Sequence, residues 1–317
     1  MPDFPYDDGR AYQGRAANRR GKRRRNFDEE PVFAKRDRHR RTLPAGDALD
    51  AVDGLPEGDR WTTWDQSAAG ERGPRPWPPW LVTELAAVDT ELGVLKTGKE
   101  ADVFLLRRAV PGTTRSCLLA AKRYRSAEHR MFHRDSAYLE GRRVRESRDN
   151  RAMASRTTAG REMIARQWAN AEFAALARLR QAGVAVPYPV QVLGTELLLE
   201  FIGEPDGTAA PRLAETRPAG RDLAGLWDQL VQALITLARD GLAHGDLSAY
   251  NLLVHQGRLV LIDLPQVIDV IVNPRGAEFL DRDAANVARW FTARGLDGAD
   301  PAPGDLAALL RREAGLP

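Results

Sequence analysis

The segment His244-Gly-Asp-Leu-Ser-Ala-Tyr-Asn251, followed by Leu261-Ile-Asp263 at the end of a short apolar run, constrains this chain more than any other feature. Two carboxylates and one amide at this spacing suit phosphoryl transfer. Asn251 and Asp263 supply hard oxygen ligands for Mg²⁺, which neutralises nucleotide phosphates. Asp246 stands where a carboxylate orients or deprotonates an attacking hydroxyl or water. A polar loop with accidental spacing would not explain the apolar strands in register around it, at 251–254 and 259–262.

Lysine is scarce here. Of 47 basic residues 42 are Arg, and three of the five Lys fall between positions 96 and 122. Lys122 ends the run Leu-Leu-Ala-Ala-Lys, a strand pattern that delivers an ammonium to α- and β-phosphates in kinase-like enzymes. Such a Lys needs a carboxylate from a helix. Ile164, Trp168, Glu172 and Leu176 recur at helical spacing, so Glu172 lies on an apolar stripe and needs a partner. A Glu at the stripe's edge reaching solvent is the bland alternative, and Glu162 is a weaker rival. Thr97-Gly-Lys-Glu-Ala101, between two strands, matches neither common phosphate-loop pattern; it reads as a shortened turn whose Lys99 either touches phosphate or faces solvent.

The net charge of +3 hides segregation. Residues 10–41 carry +9 and residues 122–166 carry +7, so the rest of the body is acidic, which excludes a uniformly basic nucleic-acid-binding domain. Residues 1–76 lack period and are expected to be a basic, mostly disordered tail, a solvated segment or a contact for RNA or another polyanion. One cysteine, Cys117, excludes a disulfide framework and a Cys-based zinc site. No apolar run approaches membrane-spanning length, so a soluble, cytoplasmic protein with no membrane partner is expected.

Apolar period predicts a helix from Leu81 through Leu85, Val88 and Leu92, then strands near 93–106 and 117–124. A helix over 161–181, a strand pair at 190–193 and 197–201, and helices near 222–239, 276–294 and 305–313 follow. The layout is α+β: an N-lobe over 77–201 with a flexible basic loop at 125–161, then a hinge and helical C-lobe over 202–317. Only 54 residues follow Asp263, too few for a long activation segment.

The segments TGKEADVFL, AAKRYR, AEFAALARLRQAGVAVPYPV, LLLEFIG, HGDLSAYNLLV, LIDLPQ and NPRGAEFLDRDAANVARWFTARG together resemble RIO-type atypical serine/threonine protein kinases over about residues 82–296, specifically the subfamily with an STGKEA-like loop. The resemblance implies a two-lobed, minimal kinase-like fold. It implies that Lys122 binds phosphates with Glu172 beside it, that backbone groups of Glu200 and Ile202 contact adenine, and that Asp246 is the catalytic Asp. Asn251 and Asp263 become ligands of Mg²⁺, or of Mn²⁺ in its place. It also implies ATP as substrate, autophosphorylation, and an ATPase cycle through a phospho-aspartate at Asp263. Lys96 departs from the pattern by replacing the usual Ser at the start of the loop, and Asp102 replaces a frequent Asn.

Two other function classes compete. Aminoglycoside-kinase-like phosphotransferases share His-Gly-Asp but carry His-x-Gly-Asn where this chain has Ser248-Ala-Tyr250-Asn251. A nucleotide switch binding ribosomal RNA through the tail and loop fits the two basic stretches. Family relatives act in small-ribosomal-subunit maturation, a role that transfers weakly, since the Arg-rich composition suggests a bacterial genome.

Overall fold

Nine residues from Ser116 to Tyr124 alternate between two environments, and that alternation organises the first lobe. In the computed structural model, which describes residues 58–125, 158–265 and 267–317, this strand is β4 of a six-stranded antiparallel sheet. Its companions are β1 (Arg60–Trp61), β2 (Val88–Thr97), β3 (Ala101–Ala109), β5 (Pro189–Leu193) and β6 (Glu196–Glu200). The order is β1-β2-β3-β4-β6-β5. Cys117, Leu119 and Ala121 point to one buried layer, whereas Lys122 and Tyr124 point to the other.

Helix α1 (Thr158–Gln181) covers that other face. Ala165, Ala169, Glu172, Phe173, Leu176 and Leu179 form its buried stripe; of the expected stripe, Glu172, Leu176 and Leu179 are buried, while Ile164 and Trp168 are half-buried at its edge. Gly183, with φ of +84°, follows the helix end, where Val184 N–H returns to Leu179 O at 3.0 Å.

The opposite face is covered by residues 58–87, and here two expectations are corrected. No helix begins at Leu81. Leu85 and Leu92 are exposed, Leu81 and Val82 are both buried, and Val88 starts β2. The fourfold spacing was weak beside the packing of adjacent residues against the sheet. Residues 58–76, assigned to the tail, belong to the folded body. Trp61 pairs with Val88, Gly73 N–H donates to Val190 O at 2.9 Å, and Trp64 packs edge-on against Trp77. The Arg108 guanidinium, fully buried, grips Asp89 through two bonds of 2.7 and 3.0 Å and Gln191 through one of 3.2 Å. Gln191 in turn donates to Thr63 Oγ1 at 2.8 Å, so one polar network ties this wrap to the sheet. The expected tail over 1–57 and most of the loop at 125–161 lie outside the described residues.

After β6 the chain crosses to the second lobe. Its core forms around α2 (Gly220–Arg239), α3 (Gly276–Ala293) and α4 (Leu306–Glu313). Trp227 on α2 is fully buried against Phe291 on α3. Short strands β7 (Leu242–Ala243) and β10 (Ile268–Asp269) pair, and β8 (Leu252–His255) pairs with β9 (Arg258–Leu261). Gln256 and Gly257 both take positive φ, the requirement of a tight two-residue hairpin turn. Only residues 264–275 separate Asp263 from α3, matching the expected lack of a long activation segment.

Candidate active site

Lys122 is the centre of the site. Its Nζ contacts Glu172 Oε1 at 2.8 Å and Asp263 Oδ1 at 2.7 Å, joining β4, α1 and the segment after β9. Strand register puts Lys122 opposite Val103 and Leu197, facing inward. Burial disfavours the ammonium, but Glu172 and Asp263 outweigh it and hold Lys122 charged above its ordinary range. Glu172, 1% exposed, also accepts the Tyr124 hydroxyl and the Leu264 N–H, the latter at 3.1 Å. Burial and then the Glu172 charge push the Tyr124 phenol well above its usual value, so it remains a donor.

Asp263 adopts φ of +65°, an unusual conformation that Asp tolerates better than most residues. Burial alone would raise its carboxyl, but the Lys122 ammonium overcomes this and holds it at about 2. The sign follows from linkage. A carboxylate depressed below its unfolded value of about 3.9 adds stability above that pH and loses it as pH falls through about 2. Chemical denaturation between pH 4.5 and 2 is therefore expected to show a loss of stability in the parent that is shallower in Asp263→Asn. Equal pH slopes would contradict the pairing.

The catalytic-loop candidate is braced from beneath. Asn251 donates from Nδ2 to the Asp246 carbonyl at 2.8 Å, which leaves its Oδ1 as an acceptor. His244 donates from Nε2 to Ile262 O at 3.1 Å and accepts the Asp246 N–H at 3.4 Å. Asp283 on α3, 2% exposed, accepts Gly245 N–H at 2.7 Å and Leu247 N–H at 3.0 Å. Burial pushes the Asp283 carboxyl up, against the pull of His244 and those two amides. Arg282 donates to Gly245 O, and Asn286 to Leu247 O at 3.2 Å.

A cleft of about 720 Å³ runs between the lobes, a volume ordinary for a small-molecule site. Lys122, Glu172, Asp246 and Asp263 line it, as do Lys99, Glu200 and Ile202. The Glu200 carboxylate is occupied, accepting Tyr188 N–H at 2.9 Å, and the Ile202 carbonyl accepts Ala210 N–H at 3.0 Å. Lys99 is exposed at the cleft edge. Asn251 lies buried beside Asp246 rather than on the cleft wall.

Of the residues expected at the site, Lys99, Lys122, Glu172, Glu200, Ile202, Asp246 and Asp263 line this cleft, and Asn251 lies buried beneath it, bonded to the Asp246 carbonyl. Glu162 is excluded as the Lys122 partner, since it is exposed and pairs with Arg166. Sequence reading missed Tyr124 and Asp283, and assigned no role to His244. A carboxylate on an apolar helical stripe was the available signal for Asp283, the one that revealed Glu172. Among the described residues no group of three or more His, Cys, Asp or Glu is placed to hold a metal ion. The oxygen donors Asn251 and Asp263 fit a hard cation that keeps several waters, as Mg²⁺ does.

A curled antiparallel sheet over one helix, a hinge, a helical lobe and a Lys–Glu–Asp triple in the cleft define the two-lobed kinase-like fold. The RIO domain model matches residues 116–302, and the chain belongs to that family. It is 38% identical over 210 residues to the RIO-type serine/threonine-protein kinase Rio1 of Haloferax volcanii, covering 66% of this chain and 66% of that one. It is 33% identical over 214 residues to serine/threonine-protein kinase RIO1 of Chaetomium thermophilum, covering 65% of this chain and 40% of that one. A third relative, Rio1 of Thermoplasma acidophilum, is 33% identical over 134 residues, 42% of this chain and 68% of its own. The match spans less than two thirds of the first two relatives' length.

Proposed function

We propose that this chain is an ATP- and Mg²⁺-dependent RIO-type serine/threonine protein kinase that autophosphorylates and hydrolyses ATP. The observation that carries this reading is the Lys122 ammonium bridging Glu172 and Asp263 inside the cleft. Lys122, kept in place by Glu172, neutralises phosphate oxygens. The N–H of Ile202 and the backbone of Glu200 hold adenine. Asn251 and Asp263 hold the metal ion, which when bound supplies charge neutralisation at the phosphates. Asp246 orients the acceptor hydroxyl and takes up its proton.

Asp263 also suits a covalent cycle. Its carboxylate oxygen bonds to the terminal phosphorus as the bond to the ADP oxygen breaks. Water then attacks the acyl phosphate, releasing inorganic phosphate and restoring the carboxylate. The protein substrate would be this chain or a docked partner, because residues 264–275 offer little for peptide docking. Lack of the His-x-Gly-Asn pattern speaks against small-molecule phosphotransfer. Contact of the basic tail and loop with ribosomal RNA rests on composition alone. Among the described residues no helix is long and apolar enough to cross a membrane.

Labelled ATP tests the proposal. Hydroxylamine-labile label that disappears in Asp263→Ala supports the aspartyl-phosphate cycle. Stable label on Ser or Thr supports the kinase reaction alone. No labelling and no ATP turnover would refute both.

A further inference from the structure

Among the described residues three cations lining the cleft have no carboxylate partner: Lys99 at its exposed edge, and Lys96 and Arg212, which come from opposite lobes. Lys96 stands near the end of β2. The β2–β3 register passes from Val94 opposite Phe104 to Lys96 opposite Val103, so Leu95 is an extra residue in the strand. Simple alternation would send Leu95 and Lys96 to opposite faces; after the bulge both line the cleft. Lys96 forms no ion pair among the described residues.

Arg212 faces it from the other side. Its backbone is fixed by a bridge to Leu253 and by its N–H donating to Glu215 Oε2 at 2.9 Å. One guanidinium nitrogen donates to the Tyr250 carbonyl at 2.6 Å, beside Asn251. The remaining donors of this half-buried side chain meet no carboxylate among the described residues. Lys122, by contrast, already has two carboxylates against its single charge.

The electrostatics agree with this placement. Lys96 is exposed at the cleft mouth, yet partial desolvation there lowers its ammonium below the ordinary range, with Arg212 the next cause, Asp263 opposing and Lys122 adding to it. Two cations lining one cleft and acting on each other electrostatically repel, and an anion between them relieves that repulsion. A planar guanidinium and an ammonium together suit a tetrahedral phosphate.

We propose that Lys96 and Arg212 form a clamp across the two lobes that grips the terminal phosphate of the bound nucleoside triphosphate and favours triphosphate over diphosphate. The proposal rests on the nucleotide-binding reading above. It gives the Lys that replaces the family's usual Ser a definite ligand, and it makes the terminal phosphate a link between the lobes.

Calorimetric titration of the full chain with a non-hydrolysable ATP analogue and with ADP, both with Mg²⁺, tests the clamp. Lys96→Met and Arg212→Met should each weaken analogue binding roughly tenfold, while ADP binding changes by less than about twofold. The double variant should lose less than the product of the single losses, since both groups hold one phosphate. Lys96→Arg should restore most of the affinity. Unchanged ADP binding confirms that each variant is folded. Equal weakening of ADP and analogue, or no weakening of either, overturns the clamp while leaving nucleotide binding intact. Failure of the parent protein to bind either nucleotide overturns the nucleotide-binding reading and the clamp with it.

Discussion

An Asp246→Asn variant is expected to keep the parent's thermal midpoint and affinity for ATP while transferring phosphate about 10²–10⁴-fold more slowly. The structure separates the two halves of this residue. Its backbone is tied down, with the carbonyl held by Asn251 and the N–H by His244. Its carboxylate is exposed on the cleft wall and makes no hydrogen bond or ion pair with a described residue. The substituted amide keeps the size and the backbone bonds, so nothing buried is uncovered. What disappears is the acceptor for the proton of the attacking hydroxyl. A group acting only during the reaction should lower kcat and leave nucleotide affinity alone. Steady-state turnover, a melting curve and a nucleotide titration on one preparation decide the matter. Turnover within about fivefold of the parent would remove Asp246 from its proposed role.

The polar loop of the candidate site was legible in the sequence because its parts are local. His244 to Asn251 occupy a single loop, and Asp263 follows after one hairpin. Lys122 stood out by its rarity and its strand, and Glu172 by lying on an apolar stripe. Asp283 obeys the Glu172 logic: it shares its helix face with Leu280, Ala284, Val287 and Phe291. It was overlooked because no Lys suggested a partner, and its partners are backbone amides in another segment. Residues 58–87 were illegible for a different reason. Leu81 and Leu85 offered a misleading helical period, the Pro and Trp content before them offered none, and several of the segment's contacts lie on Tyr188, Val190 and Gln191, more than a hundred residues away. Likewise Arg108 looks like a surface residue until strand register places Asp89 opposite it. The bulge that turns Lys96 into the cleft depends on the β3 partner positions, which sequence spacing does not contain.

Removing Glu172 should have the largest structural effect of any single change in the cleft. Glu172→Ala leaves the Lys122 ammonium, the Tyr124 hydroxyl and the Leu264 N–H without their shared acceptor in a site that is almost fully buried. Breaking a buried ion pair on one side costs up to about 3–5 kcal/mol; here Asp263 still offsets the Lys122 ammonium, so much of the loss comes from the Tyr124 hydroxyl and the Leu264 N–H left without an acceptor. Phosphoryl transfer should fall with it, since Lys122 then has only Asp263 to direct it and holds the carboxylate proposed as a metal ligand. Stability and chemistry can be separated by removing both partners. A Lys122→Met, Glu172→Leu double variant replaces the pair with apolar side chains of similar volume and removes the strained ammonium, although the Tyr124 hydroxyl and Leu264 N–H still lose their acceptor and Asp263 loses its partner. Urea unfolding should show it clearly more stable than Glu172→Ala, with the two substitutions far from additive. Its phosphoryl transfer should remain undetectable, because the ammonium that meets the phosphates is gone. Additive destabilisation would mean that the pair is held by its surroundings rather than by its charges. Retained activity in the double variant would remove Lys122 from the reaction.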